Sequence, residues 1–366
     1  MDPADGPATG CQYGNDDERH WFSSSKRRAF WMSHSIARRA AELMDAIQTG
    51  PIRTQWHWLG YNFNPKTPGF VTVGGPTVMA LAAGDAVMPG FAAEQLKRLE
   101  SFGGAERDLG HYQQILAWYC EVLVVAHLAA YDWPAPVAFE MEPVAGGAKA
   151  NPEVVVRLDG VGALGVEVKS ADLRAHREQR ASNGWQLNAR TKVSSKSLGE
   201  AVTLPRDNPV KDFLISADKK FAGFRATDPD FRSALVIVWD DFVNEPLTAL
   251  TSPASGLFTP NSFYRADGGA VEFANVDAVL LVRHQHQVVE GLAGRPLADD
   301  RAHLLDYGRP GSFPPHALVT NPAGRVLPAE FAAALHAVPV EALNAAAEYN
   351  PGEIVMWVDT AEGTAS

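Results

Sequence analysis

Apolar residues recur at helical spacing in several stretches and at strand length in others. In 33–48, Ile36, Ala40, Leu43 and Ile47 fall on one face, which predicts an amphipathic helix. Residues 91–101 predict a short helix, stopped by Gly103-Gly104. Residues 109–131 are apolar almost all the way round, as expected of a buried helix. Trp133-Pro134 and Pro136 end it. Three strands are expected next, over 137–144, 153–158 and 164–170. The last two are joined by Asp159-Gly160-Val161-Gly162, a hairpin turn. Asn208-Pro209 opens a further helix that buries Val210, Phe213, Leu214, Ala217 and Phe221. The runs 234–239 and 276–282 are rich in Val and Leu, which suits strands covered on both faces.

The remaining stretches are less patterned. Residues 1–28 read as poorly ordered, ending in Lys26-Arg27-Arg28. Residues 54–80 mix aromatics with Gly and Pro and read as irregular structure or short strands. Residues 173–190 are polar, basic and partly helical. The chain beyond about 291 is Pro-rich, with helices near 329–337 and 340–347. The order of helix, three strands, helices, strand, strand predicts an α/β fold with a mixed central sheet flanked by helices. Three regions are expected: an N-terminal helical and irregular region (1–103), a core (104–285), and a C-terminal Pro-rich and helical region (286–366).

Composition narrows the class. The 366 residues are 46% hydrophobic and 20% charged, an ordinary globular balance. Only two cysteines occur, Cys11 and Cys120, so a disulfide framework is not expected. No apolar run is read as reaching membrane-spanning length, the longest being near 122–126. The polar N-terminus lacks the pattern of a signal peptide, so a cytoplasmic protein without membrane partners is expected. The net charge of −11 argues against a generally basic nucleic-acid-coating surface. Local charge rather than the total governs phosphate contact. No Gly-rich phosphate loop with Lys-Ser/Thr and no Gly-x-Ser-x-Gly elbow is present.

The chemistry concentrates in Asn151-Pro152-Glu153-Val154-Val155-Val156-Arg157-Leu158-Asp159-Gly160, continued by Leu164-Gly165-Val166-Glu167-Val168-Lys169. Glu167 and Lys169 are two positions apart and share a strand face. With 159–162 as the turn, Leu158 faces Ala163 and Glu153 comes opposite Val168, which is read as placing its carboxylate beside Glu167 and Lys169. Asp159 sits in the turn, roughly 15–20 Å from the acid–lysine pair, and is read as a turn residue. A second acid-x-Lys triplet, Asp218-Lys219-Lys220, falls inside a helix and is read as solvated surface.

This segment resembles the signature of the PD-(D/E)xK nuclease superfamily. In that family Pro and an acid open one hairpin strand, and acid-x-Lys lies on the other. Glu153 stands where the family usually has Asp. The resemblance implies a restriction-endonuclease-like core over roughly 104–282 and a metal-dependent nuclease hydrolysing phosphodiester bonds to leave a 5′-phosphate. Mg2+ is the implied cofactor, with Mn2+ as a substitute. The implied metal ligands are Glu153, Glu167, the backbone carbonyl of Val168, and Glu121. Two carboxylates suit a hard cation, which polarises the phosphate and activates a water. Lys169 would orient or deprotonate that water or stabilise developing charge, with burial beside a metal lowering its pKa. DNA is the implied substrate ahead of RNA, with restriction or antiviral defence as the setting and a homodimer or companion defence subunit as partner. The alternative is a catalytically silent nucleic-acid-binding or scaffold protein of the same fold.

Four further features stay open on sequence. Glu121 is the only carboxylate of the apolar 109–131 helix, so it either meets a partner or metal or faces the surface. Gln186 either assists the site, as in some branches of the superfamily, or is an ordinary polar helix residue. Arg174, Arg177, Arg180, Arg190, Lys192 and Lys196 form a basic stretch suited either to phosphate or to solvent. His284 and His286 alternate at a strand end without a third ligand and read as surface or core histidines.

Overall fold

The computed structural model describes residues 34–144, 151–172, 208–240, 244–253, 256–263 and 268–343, together with 174, 178, 185, 186, 202 and 203. Its elements are α1 (His34–Thr49), α2 (Pro51–Thr54), α3 (Gly75–Val87), α4 (Phe91–Glu100), α5 (Leu109–Ala129), β1 (Val137–Met141), β2 (Val154–Leu158), β3 (Gly162–Ser170), β4 (Trp185–Gln186), β5 (Val202–Thr203), α6 (Asn208–Thr227), β6 (Phe231–Trp239), α7 (Asn244–Thr251), β7 (Ala278–Arg283), α8 (Gln285–Leu292), β8 (His316–Thr320), α9 (Ala329–Ala334) and β9 (Ala337–Pro339). A wide helical turn, Phe70–Gly74, leads into α3.

Seven strands form one mixed sheet in the order β1-β2-β3-β6-β7-β8-β9, and β4 and β5 form a separate parallel pair. The fold is therefore α/β with a mixed sheet and flanking helices, as the hydrophobic pattern predicts. β1, β2 and β3 make an antiparallel meander, after which α6 carries the chain to β6, parallel to β3. β6 and β7, the two Val/Leu-rich runs, lie in the middle of the sheet. β8 and β9 come from the Pro-rich C-terminal region and extend the same sheet beyond β7.

Alternation along the strands divides the core in two. Val154, Val156, Val166, Val168, Val236 and Leu280 face the layer built by α1, α3 and α5. Val155, Ala163, Leu235, Ile237 and Val279 face α6, which buries Val210, Leu214, Ala217 and Phe221 against them. α5 is buried nearly all round, as its sequence requires, and Asp108 caps it by accepting the His111 backbone N–H at 2.9 Å.

Two expectations for the N-terminal region need correction. Residues 54–80 contain no strand, and α3 begins inside them. Pro76 stands in its first turn, where a missing N–H costs nothing, so a residue that reads as a breaker acts as a starter. The helical run Phe70–Val87 is also long and apolar enough to match a membrane span by length and composition, although half of it is buried within the fold. The sequence hides this run because Gly74 and Gly75 interrupt it, yet both take right-handed helical dihedrals.

A buried ion pair fixes the end of α6 to the sheet. Arg225 donates to Asp277 Oδ1, and Asp277 Oδ2 accepts the backbone N–H of Ser233 at 2.8 Å. The Asp277 side chain is fully buried and that of Arg225 nearly so. Losing one partner of such a pair strands the other charge, which typically costs about 3–5 kcal/mol. Asp277→Ala is therefore expected to lower the free energy of unfolding by that order, as read from urea denaturation.

Candidate active site

The hairpin closes one residue earlier than the sequence reading places it. Leu158 pairs with Gly162, not Ala163, so only residues 159–161 lie between the paired positions. Gly160 and Gly162 both take positive φ, +73° and +126°, and this allows the tight closure. Asp159 stays in the turn, as expected, at the far end of the hairpin from the acid–lysine pair.

This register corrects the placement of Glu153. The observed pairing Val154↔Val166, continued by one position, brings Glu153 opposite Glu167 rather than Val168. Glu153 itself stands one residue before β2, and it lines a cavity with Gln95 of α4 and Glu121 of α5, whereas Glu167 meets Lys220 of α6 on the other side of the sheet. Residues 167–170 of β3 run past the end of β2 and pair only with β6. Val168, whose carbonyl the family resemblance implies as a ligand, lies on that overhang.

Glu167 is fully buried, with Lys169 Nζ 2.6 Å from its Oε1. Lys220 Nζ, arriving from α6, sits at the same distance from the same oxygen. Glu167 Oε2 is buried and has no hydrogen-bond partner. Lys220 is the member of this cluster that the sequence reading misses. Its triplet is not solvated surface, because Lys220 is only 17% exposed and Asp218 Oδ1 accepts the Asn275 backbone N–H at 2.9 Å. The available signal was helical spacing: Lys220 lies three and six residues after the buried Ala217 and Leu214, on the flank of the core-facing stripe.

Gly165 permits this approach of helix to sheet. A Cβ on Gly165, on the same strand face as Glu167, would meet the Phe231 ring at 2.4 Å and that of Phe221 at 3.1 Å. Phe221 follows Lys220 directly, so the space left by the missing side chain lets α6 settle close to β3.

Glu121 has a partner. Arg98 of α4 donates to both of its oxygens, through Nη1 at 2.5 Å and Nη2 at 3.2 Å, which answers how an acid survives in an apolar helix. Glu121, Glu153 and Gln95 line one small cavity, and the buried Gln95 Oε1 is without a partner. Glu153 makes no ion pair within 4 Å among the described residues, yet it feels both neighbouring acids. Burial first, then the charges of Glu121 and Glu167, push its carboxyl up to about 8 against the opposing pull of Lys220 and Lys169.

For Lys169, burial acts to lower the pKa, but the charge and hydrogen bond of Glu167, with Glu153 and Glu121 behind it, raise it above the ordinary lysine value. Without a bound metal, the surrounding carboxylates thus favour the charged form of Lys169, while the lowering expected on sequence is tied to burial beside a metal.

The other sequence candidates lie apart from this cluster. Gln186 is in the short strand β4, paired with Thr203, and not in a helix. Of the basic stretch, Arg174 is exposed and 3.9 Å from Glu178, while Arg177, Arg180, Arg190, Lys192 and Lys196 lie outside the described residues. His284 and His286 do not alternate on a strand, since His284 caps α8 and His286 is inside it. His284 is buried with Nε2 2.6 Å from the Leu304 carbonyl, and His286 is 3.7 Å from Asp299, in keeping with structural roles.

Among the described residues, no group of three or more His, Cys, Asp or Glu side chains is placed to hold a metal. Mg2+, however, commonly takes one or two carboxylates and completes its shell with water and substrate oxygens. The unpartnered Glu167 Oε2 and the carboxyl of Glu153, raised by burial and by two neighbouring acids, fit a hard cation on that basis.

The raised Glu153 carries a stability consequence. A carboxyl whose folded pKa exceeds its unfolded value binds more protons when folded, so stability falls as pH rises from about 4.5 to about 8. Glu153→Gln removes this loss. The variant should gain stability over wild type as pH rises through that window, with a slope of up to about 1.4 kcal/mol per pH unit, and match it most nearly below pH 4.5. Urea denaturation at pH 4.5 and pH 8 measures the difference; a gap that does not widen with pH refutes the assignment.

No family model matches this chain, and neither does any curated protein or solved structure.

Proposed function

We propose that the chain is a divalent-metal-dependent nuclease with a restriction-endonuclease-like core, acting on phosphodiester bonds in DNA. The observation that carries this reading is the convergence of Glu167 and Lys169 on one face of β3, with Lys220 reaching in from α6 and Glu153, just before β2, close enough to feel their charges. Support also comes from the setting. The signature lies on a hairpin of the central sheet, inside the helix, three strands, helix, strand order expected for the core.

In this reading Glu153 and Glu167 hold the cation, with the Val168 carbonyl as a third ligand by resemblance. The bound cation would supply Lewis-acid polarisation of the phosphodiester and a water of lowered pKa. Lys169, beside the carboxylates that favour its charged form, serves as a charge stabiliser for the phosphate oxygens. Lys220 adds a second ammonium beside the same carboxylate, a natural partner for a non-bridging oxygen. Glu121, clamped by Arg98, acts through its field on Glu153 and is not a ligand in this arrangement. Defence against foreign DNA, with a second copy or a companion subunit as partner, is the biological setting that the family resemblance suggests.

One observation favours the second reading, a silent scaffold of the same fold. Glu167 is wholly buried and its Oε1 is shared by two lysines, so a cation must compete with two ammonium groups for this carboxylate. Calorimetric titration with Mg2+ separates the readings, since a scaffold shows no heat that Glu167→Gln abolishes.

The direct test is cleavage of plasmid and single-stranded DNA with Mg2+, Mn2+ or EDTA. Wild type should cut only with metal. Lys169→Ala and Glu167→Gln should each lose roughly 100-fold or more, and Lys220→Ala should lose activity in the same direction, the scale seen when a charge-stabilising donor is removed. Cutting that persists in EDTA or in Lys169→Ala would sink the proposal.

A further inference from the structure

A cavity lies away from the carboxylate–lysine cluster, between α3, α5 and the loop before β8. Its volume is about 470 Å3, within the roughly 300–1,000 Å3 typical of small-molecule sites. Met79 and Ala80 of α3, Ala126 of α5 and Leu305 of the loop form an apolar floor. Tyr307 and His127 stack with ring centroids 3.7 Å apart and close one wall. The polar groups gather on the loop side as His303, Asp306 and Arg309.

These three polar groups are not equivalent. Asp306 is already engaged: it accepts the backbone N–H groups of Ala302 at 3.0 Å and Gly308 at 3.1 Å, and lies 3.9 Å from the buried guanidinium of Arg301. Its negative charge is thus balanced within the loop. Arg309, in contrast, has no ion pair and no side-chain hydrogen bond among the described residues. His303 Nδ1 is buried and has no partner. Arg301 adds Nε and Nη2, both buried and unpartnered, directly behind Gly308. A desolvated donor without an acceptor is costly, and several around one cavity create a standing demand for an acceptor. The apolar floor meanwhile offers nothing to a free inorganic anion.

We infer that this cavity is a binding site for a small organic anion, an aromatic or branched apolar body bearing a carboxylate or a similar acid. Its body lies on Met79, Ala126 and Leu305, and its acid group meets Arg309 and His303. The inference does not rest on the nuclease reading, because none of these residues belongs to the proposed catalytic cluster.

A pair of probes of equal shape tests it: 1-naphthoate and its uncharged amide, 1-naphthamide, titrated calorimetrically into the full chain. Naphthoate should bind at least about tenfold more tightly than naphthamide, the worth of one charge-assisted contact. Arg309→Gln, at an exposed position, should weaken naphthoate by a similar factor and leave naphthamide unchanged. Met79→Trp, which fills the floor, should abolish binding of both, with thermal unfolding confirming that each variant is folded. No naphthoate binding to folded wild type, equal affinity for the two probes, or binding indifferent to Arg309→Gln overturns the inference. If Met79→Trp fails to fold, the comparison of probes on wild type and Arg309→Gln still decides.

Discussion

Burying the Glu167 carboxylate beneath a helix is the constraint around which this region is built. A lone carboxylate with no exposed surface would be prohibitively costly, and two lysines on one of its oxygens make it tolerable. One lysine comes from the same strand two residues on, and the other from a helix more than fifty positions later. The second can arrive only if α6 lies close on β3. Gly165 below, with Phe221 and Phe231 filling its vacant side-chain space, and the Arg225–Asp277 pair at the far end of the helix, hold it there. Packing, strand register and electrostatics are thus tied to one acid.

The same burial explains the uneven charge state of the cluster. Among the described residues Glu153 has no direct cationic partner, so desolvation and two like charges govern it, whereas the acids around Lys169 outweigh its burial. Such an arrangement has more negative than positive demand on the Glu153 side and saturated pairing on the Glu167 Oε1 side. The site is therefore uneven, with both ammonium groups, from β3 and from α6, on Glu167 Oε1, and Glu153 and Glu121 together at one small cavity.

The layered α/β architecture was legible because period-two alternation and helical stripes survive averaging over many residues. The strands β2, β3, β6 and β7 and the helices α1, α4, α5 and α6 follow from that signal. The acid–lysine pair on β3 was legible for the same reason, as two positions on one strand must share a face. The hairpin register was not, because Gly162 can serve as the last turn residue or as the first strand residue, and only its backbone dihedral decides. Lys220 was not legible either, since a cation on a helix looks alike whether it meets water or a buried acid across a tertiary contact. α3 was obscured by Pro76, whose effect depends wholly on whether it stands in the first turn or beyond it.

The sheet order also bears on how this molecule can be divided. β8 pairs along Ala278–Leu281 of β7, and β9 pairs along β8, so the chain after α8 covers an edge of the strand array that holds the candidate site. A fragment trimmed to 104–285 would leave the Val279–Leu280–Leu281 edge with open backbone donors and acceptors between two apolar faces. Such an edge is a template for self-association. The smallest autonomous unit thus extends well past the signature, and a shortened version made for expression or crystallisation should be expected in the aggregate fraction.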